Sequence, residues 1–293
     1  MPVSIGIPFF NPGPAFAKAV RSVFSQTYAE WELILADDGS TDGSVERARA
    51  ITDPRVRVVS DGRNRGLCER LNEIARLARH DLLCRMDADD VMHPERLRRQ
   101  VEWLSAHPSV DVVGTQAITL DDAERATAFL GRPFDAATTE RTALVRALLV
   151  HVSVMGRRRW FLENPYDPEY VRAEDHELWV RAAPRSTYGF LPEPLMFVRQ
   201  PDRLNLRAYV ATCRTDRKVV RRYGPRVGGP ICTAALLGRS VAFEAIHRVA
   251  AALGATAPLM RMRGARVPPV VAQERLAAMS RAVRADVPGW PAP

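Results

Sequence analysis

Three aspartates in residues 82–94 (LLCRMDADDVMHP) have the type and spacing of a cation site. An apolar run ends at Asp87, Asp89 and Asp90, and a helix-start pattern follows at Pro94. Carboxylates this close repel one another unless a cation or hydrogen-bond donors lie among them. The cluster therefore predicts a divalent metal that carries a phosphorylated substrate. The simpler alternative is that it caps the helix at Pro94, although one aspartate would suffice for that.

A second acidic pair, Asp37 and Asp38, follows another short apolar run. Hydrophobic periodicity predicts strands at residues 3–10, 31–36, 56–59, 82–86 and 110–115, and helices at residues 15–27, 44–51, 68–78 and 95–106. This alternation predicts a parallel sheet covered by helices. Because ligands bind at the carboxyl ends of such strands, the two acidic groups should share one crevice.

The pattern is weaker after residue 120. It predicts a helix at residues 140–150, a strand at 151–155, a helix at 174–183, and a loop at 191–194 before a short strand ending at Arg199. Beyond Leu204 the sequence is helical and rich in Ala and Arg, with interruptions predicted at Gly224-Pro225, at residues 228–230 and at residues 267–269. Residues 205–222 and 233–253 can form amphipathic helices. The last six residues, 288–293, are predicted to be a poorly ordered terminus.

Composition indicates an ordinary globular protein, with 46% hydrophobic and 26% charged residues in 293. The four cysteines have no CxxC spacing and are expected to be free thiols in a reducing compartment. No signal peptide or membrane span is predicted, so a cytoplasmic location is expected, with membrane association left open.

The net charge of +8 is concentrated in residues 200–293, which hold 16 Lys and Arg against 5 Asp and Glu. This basic segment is a candidate for contact with an anionic membrane surface through its helices. A solvated arginine-rich face, or packing against the first part of the chain or between two subunits of a homodimer, explains it equally well. No nucleic-acid partner is expected.

Six motifs in order complete the pattern: IPFFN, SVFSQTY, WELILADDGSTDGS, NRGLCERLN, RMDADD followed by HPERL, and AEDHELWVR. Together they resemble the family 2 glycosyltransferases over residues 3–199. The resemblance implies an α/β chain of the GT-A fold, with a mostly parallel central sheet flanked by helices and a helical C-terminal extension. The domains would be residues 1–203, with a nucleotide-binding half at 1–115 and an acceptor-side half at 116–203, and a basic extension at 204–293.

The family transfers a sugar from a nucleotide-sugar donor with inversion at the anomeric carbon. The resemblance assigns Asp89 to a Mg²⁺ or Mn²⁺ ion that stabilises the leaving diphosphate, and Asp87 to the ribose and diphosphate. Asp90 is expected to orient the loop or cap the next helix.

Nucleobase recognition is assigned to Asp38, with Pro8 and Phe10 lining the pocket, which favours UDP- or dTDP-sugars. Asn64 and Arg65 are expected on the donor side, with a plain surface loop as the alternative.

The general base implied by the family is Asp175, with Glu174 beside it in the first turn of a helix. Favourable interaction with the helix dipole is the alternative for both carboxylates. His151 is expected to be a hydrogen-bonded histidine near the acceptor pocket. A diphosphate contact for Arg199 remains open, since Gln200-Pro201 follows where relatives carry Arg-x-His.

The acceptor is expected to be a hydroxyl of a glycan, a cell-envelope polysaccharide, a lipid-linked sugar or a glycosylated metabolite. Because the QxxRW motif is absent, a single addition is favoured over polymerisation. Two other functions remain open: a sugar-1-phosphate nucleotidyltransferase, and a non-catalytic GT-A-like binding module.

Overall fold

A computed structural model describes residues 1–136, 139–201, 204–256 and 264–292 of the chain. Its centre is a ten-stranded sheet. Eight strands have the order β10-β7-β6-β8-β4-β1-β2-β3, while β9 pairs with β6 and β5 pairs with β9. The strands are β1 Val3–Phe9, β2 Trp31–Asp37, β3 Val56–Val59, β4 Leu82–Arg85, β5 Val91–Met92, β6 Val112–Leu120, β7 Ala126–Leu130, β8 Met155–Arg157, β9 Tyr188–Arg199 and β10 Ala265–Arg266.

Helices cover both faces of the sheet and also form the C-terminal extension. Within the described ranges they are α1 Ala15–Phe24, α2 Ser44–Arg49, α3 Leu67–Leu77, α4 Arg96–Ala106, α5 Thr139–Val145, α6 Arg158–Glu163, α7 Glu174–Ala182, α8 Leu206–Val227, α9 Gly229–Ala252 and α10 Pro269–Ala282. No helix in this part of the chain is both long and apolar enough to cross a bilayer.

The first half of the sheet is parallel, as the strand–helix alternation predicts. β1 pairs in parallel with β2 on one side and β4 on the other, and β2 pairs with β3. Every residue of β1 and β2 is buried, which explains why both strands are mainly apolar. Two polar residues within them pair with each other, because the Ser4 hydroxyl donates to the Glu32 carboxylate at 2.7 Å. At Gly6 a Cβ would lie 2.3 Å from the Ile74 side chain, so α3 packs directly on the β1 backbone.

The second half of the sheet mixes directions. β8 lies antiparallel between β4 and β6, so the strand that follows α4 is not the neighbour of β4. β9 runs parallel to β6 and antiparallel to β5. Short strands such as β5, only two residues long, have no periodicity that a sequence could reveal.

Three local predictions in this half are wrong. The helix predicted at residues 140–150 ends at Val145, and the apolar character of Leu148 and Leu149 reflects their burial in the core rather than a helical face. Residues 191–194 are not a loop, because β9 continues through Pro192 and Pro194; its pairing with β6 shifts between Thr115 and Ala117, where the missing N–H groups are tolerated. The predicted strand at 151–155 instead begins with a single 3₁₀ turn, His151–Ser153, and β8 starts only at Met155.

The C-terminal extension packs against the sheet domain. Val219 and Val220 of α8 and Leu236 of α9 share a buried cluster with Trp179 of α7. α8 runs through Pro225, where the sequence predicts an interruption, because the proline lies in the last turn and removes only one main-chain hydrogen bond. The division predicted at residue 203 lies outside the described residues and stays a prediction.

The chain end is not loose. Trp290 packs on Phe16 of α1 with ring centroids 6.1 Å apart, and its indole N–H donates to the Arg47 carbonyl at 2.7 Å. Val287 is buried in the main core, and the Arg21 guanidinium donates to the Pro291 carbonyl at 2.7 Å. The proline- and glycine-rich residues near the chain end therefore pack in an ordered conformation against α1 and α2.

Candidate active site

Asp37 and Asp38 end β2 at the carboxyl edge of the sheet, and their carboxylates organise the adjacent loops. Asp37 accepts hydrogen bonds from the Ser40 N–H at 2.8 Å and the Ser60 hydroxyl at 2.6 Å. Asp38 accepts from the Arg65 N–H at 2.7 Å and from the buried Arg70 guanidinium at 3.0 Å. Asp38 therefore fixes the loop at residues 60–66, and its predicted contact with the nucleobase remains a prediction.

This loop approaches the Asp37–Asp38 turn closely at Gly39. The glycine has a φ of +83°, and a Cβ there would lie 3.0 Å from the Asn64 nitrogen. Asn64 and Arg65 are exposed on the loop. Pro8 is buried within β1, whereas Phe10, just beyond the strand, is 52% exposed. Of these two predicted pocket residues, Phe10 is therefore the one whose side chain is accessible to a nucleobase.

Asp87, Asp89 and Asp90 follow β4 at the same sheet edge, separated from Asp37 by β1. One carboxylate oxygen from each lies within 4.8 Å of the others. Asp90 is buried and accepts the Arg199 N–H at 2.9 Å, while Asp89 is exposed at the mouth of the cluster.

Desolvation and mutual repulsion raise the pKa of both Asp89 and Asp90. Hard oxygen donors in this arrangement suit Mg²⁺ or Mn²⁺, whose charge would relieve the repulsion. The donor set therefore fits the predicted cation.

Glu174 and Asp175 begin α7 and lie beside His151. One ligand atom from each of the three lies within 4.8 Å of the others. Burial raises the pKa of Glu174 and of Asp175 above the usual range. His151 hydrogen-bonds through Nε2 to the Tyr166 hydroxyl at 2.8 Å, and burial lowers its pKa. A carboxylate with a raised pKa is a stronger proton acceptor than a solvated one.

His176, the residue after Asp175, connects this cluster to the C-terminal extension. Its Nδ1 lies 2.9 Å from the Asp216 carboxylate of α8, which raises the pKa of His176 against the opposing effect of burial. Sequence reasoning missed this pair, because the two residues belong to different predicted domains and Asp216 stands in none of the six motifs, although His176 lies within AEDHELWVR.

Arg85 lies between the two carboxylate clusters and was also missed. Its guanidinium is buried and donates to Asp87 at 2.8 Å, while Nε and Nη1 have no hydrogen-bond acceptor among the described residues. The charge of Arg85 also acts on Glu174 and Asp175 and lowers the pKa of each, although burial outweighs it. Its sequence signals were its place as the first residue of the RMDADD motif and its position near the end of a predicted strand.

Arg199 places its backbone, not its guanidinium, on the aspartate cluster. Its side chain is half exposed, and Nη2 lies 3.7 Å from Asp122. Its positive charge lowers the pKa of Asp89, although burial and Asp87 raise it more.

Two cavities open on the Asp175 side of the crevice. The first, of about 450 Å³, is lined by Arg65, Cys68 and Glu174. The second, of about 520 Å³, extends from Asp175 and His176 to the α8–α9 pair. The first cavity thus borders Glu174 and the second borders Asp175.

The sequence profile of the family Glycosyl transferase family 2 matches residues 4–163, just over half of the chain. EpsE of Bacillus subtilis (strain 168), a protein named as a glycosyltransferase, is 31% identical over 215 residues, which are 68% of this chain and 73% of EpsE. WfgD of Escherichia coli, named as a UDP-Glc:alpha-D-GlcNAc-diphosphoundecaprenol beta-1,3-glucosyltransferase, is 23% identical over 178 residues, 61% of this chain and 68% of WfgD.

A solved structure extends the likeness to the C-terminal helices. The mannosyltransferase PcManGT from Pyrobaculum calidifontis, in complex with GDP-Man and Mn²⁺, matches with a TM-score of 0.61 and 19% identity over 96% of this chain and 85% of its own. At that identity the likeness shows the fold alone. The implication of the six motifs is confirmed: the chain belongs to glycosyl transferase family 2 and is a glycosyltransferase of the GT-A fold.

Proposed function

We propose that this protein transfers one sugar from a nucleoside-diphosphate sugar to an acceptor hydroxyl with inversion. The observation that carries the proposal is the pairing of two carboxylate clusters across Arg85. One cluster, at residues 87–90, has the ligand chemistry of a cation site, and the other, at residues 174–175, has the raised pKa of a proton acceptor.

The donor side stabilises the leaving group. Asp89 would hold a Mg²⁺ or Mn²⁺ ion, and Asp87 would lie near the ribose and diphosphate. When bound, the ion supplies positive charge where the nucleoside diphosphate becomes more negative. The buried Arg85 guanidinium would orient the Asp87 carboxylate through their 2.8 Å hydrogen bond. Asp38, Phe10 and Pro8 would form the nucleobase side of the donor pocket.

The acceptor side supplies the base. In an inverting transfer the acceptor hydroxyl attacks C1 from the face opposite the diphosphate, and its proton must leave during the attack. Asp175 is the group proposed to take that proton, and burial keeps it a strong acceptor. The neighbouring His176, paired with Asp216, favours the ionised form of Asp175.

The relatives narrow the substrates to be tested. The name of WfgD contains a UDP-sugar donor and a diphospholipid-linked acceptor, and PcManGT was solved with GDP-Man and Mn²⁺. We propose a UDP- or dTDP-sugar as donor, and a glycan or lipid-linked glycan of polysaccharide synthesis as acceptor.

A donor panel tests this proposal without knowledge of the acceptor. Release of nucleoside diphosphate would be measured with UDP-, dTDP- and GDP-sugars, in Mn²⁺ and in EDTA. One UDP- or dTDP-sugar should be hydrolysed slowly in Mn²⁺ only, and Asp89→Ala should abolish the reaction. Glu163→Gln, an exposed carboxylate on α6, is the matched control and should leave the rate unchanged.

Two results would overturn the proposal. If no donor is hydrolysed and Asp89→Ala binds donor as the wild type does, the chain is a binding module. If pyrophosphate is released from a nucleoside triphosphate and a sugar-1-phosphate, it is a nucleotidyltransferase.

A further inference from the structure

The side of helix α9 that faces the protein carries both polar and apolar groups. Ser240 and Glu244 receive hydrogen bonds from Arg217 of α8 at 3.2 and 2.8 Å, and the His247 ring stacks on Tyr209 with centroids 4.0 Å apart. Leu236 packs into the buried cluster around Trp179. A surface helix of a globular domain normally has a polar outer side, whereas the outer side of α9 is also apolar and is left open.

This open side, here termed the α9 outer face, is continuous and uncharged. Its large members range from 50% exposed at Ile246 to 86% at Ile231. They recur with small residues at intervals of three or four, the spacing of one helical face. The members are Ile231, Ala234, Ala235, Gly238, Val241, Ala242, Ala245, Ile246, Val249 and, just beyond the helix, Leu253. Over 24 residues the face is about 36 Å long.

Arginines border the α9 outer face. Arg239 and Arg248 lie on its two opposite edges, and both are exposed. Glu244, the only acidic residue of α9, is already paired with Arg217 and Arg248. An apolar strip between cations is complementary to an anionic lipid surface, which accepts the apolar groups below the headgroups and pairs with the arginines. Two copies stacked through this strip would instead bring like charges together.

Another side of helix α9 borders the acceptor side of the crevice. The 520 Å³ cavity that begins at Asp175 ends at Arg239, Ser240 and Phe243 on α9. Because Arg239 also lies at an edge of the α9 outer face, a molecule anchored in a membrane beneath α9 would have its polar head near the Arg239 end of that cavity.

We propose that the α9 outer face docks this protein on an anionic phospholipid bilayer, with α9 lying in the plane of the interface. The docking places the acceptor cavity at the membrane surface. That consequence, a membrane-anchored acceptor, rests on the proposed function, whereas the docking itself does not.

Vesicle co-sedimentation of the full chain tests the docking. The probes are vesicles of phosphatidylcholine with one quarter phosphatidylglycerol, and vesicles of phosphatidylcholine alone. The wild type should pellet with the anionic vesicles, and raised salt should weaken the binding. A triple variant, Val241→Asp, Ile246→Asp and Val249→Asp, should bind roughly tenfold or more weakly, because each change removes an inserted apolar group and adds repulsion.

The control is Val270→Asp, which places the same charge at an apolar position of α10 that is 78% exposed. It should bind as the wild type does, and circular dichroism should show all variants folded. Equal pelleting of the triple variant and the wild type would overturn the proposal. So would a lipid-free dimer that the triple variant abolishes, because the face would then join two copies. Vesicle co-sedimentation measures lipid binding, and the test for a dimer measures molecular mass. Neither measurement depends on sugar transfer, so the docking can fail while the proposed function holds.

Discussion

At the level of single residues, the site gives neighbouring carboxylates different surroundings. Asp89 is exposed among other acids, whereas Asp175 is desolvated beside two histidines. At Asp89 desolvation and repulsion by Asp87 both oppose the free carboxylate, and a bound cation would relieve them. At Asp175 burial is the main effect and favours the bound proton. This difference is the physical reason for proposing that Asp89 helps to stabilise the leaving group and that Asp175 acts as the base.

The pH dependence of nucleotide release should report Asp175. The reaction needs the ionised form, so the rate falls as pH decreases through the pKa of Asp175. Burial raises that pKa, which places the acidic limb above the ordinary range of an aspartate. The charge of His176 lowers the pKa of Asp175, so His176→Gln should move the limb to higher pH.

The measurement is kcat/KM against pH for the hydrolysed donor. His107→Gln, an exposed histidine far along the chain from α7, is the control and should leave the limb in place. An unchanged limb in His176→Gln would mean that Asp175 is not the group that titrates.

At the level of elements, residues 285–291, which follow α10, pack against α1 and α2. They are here termed the C-terminal segment. Trp290→Ala removes its contact with Phe16 and the hydrogen bond to Arg47. Because the ring is partly buried, the loss should cost about 2 kcal/mol, which corresponds to a Tm lower by roughly 4–8 °C.

Thermal unfolding followed by circular dichroism measures this effect. Val270→Ala, at an exposed position of α10, should change the Tm by no more than about 1 °C. A Tm for Trp290→Ala equal to that of the wild type would show that the C-terminal segment does not stabilise the fold through Trp290 in solution.

The same elements show what the sequence could and could not predict. Strands β1 to β4 were predictable because each is a short run rich in apolar residues followed by turn residues. The loop expected at 191–194 and the loose end at 288–293 were wrong for a shared reason. Proline and glycine indicate local backbone restraint, but they do not reveal whether distant residues pack on that backbone.

The site divides in a similar way. Asp87, Asp89 and Asp175 could be proposed as site residues because each stands in a short motif with an expected chemistry, and their roles stay predictions. Arg85 and the His176–Asp216 pair could not, because their importance comes from contacts between β4, α7 and α8 that lie far apart in sequence. Asp38 was found, but its hydrogen bonds to the loop at residues 60–66 were not.

At the level of the whole molecule, the C-terminal helices and the sheet domain share one core. A chain ending at residue 203 would expose the apolar side of α7 around Trp179 and remove the Asp216 partner of His176. We expect this truncated chain to aggregate, or to unfold at least 10 °C below the full chain, since several buried side chains lose their cover at once.

Differential scanning calorimetry and light scattering of both chains check this expectation. A truncated chain with the same Tm, no aggregation and the same nucleotide release would instead support a catalytic domain that is independent of residues 204–293.

The division of labour between Asp89 and Asp175 is tested most directly by calorimetric titration of the nucleoside diphosphate that the donor panel selects. Wild type, Asp89→Ala and Asp175→Asn would each be titrated in Mn²⁺ and in EDTA. Mn²⁺ should tighten binding at least tenfold in the wild type and in Asp175→Asn, but not in Asp89→Ala. Asp175→Asn should nevertheless lose about 10²–10⁴-fold in kcat. Equal affinity with and without Mn²⁺ in the wild type, or metal-dependent binding retained in Asp89→Ala, would contradict the account.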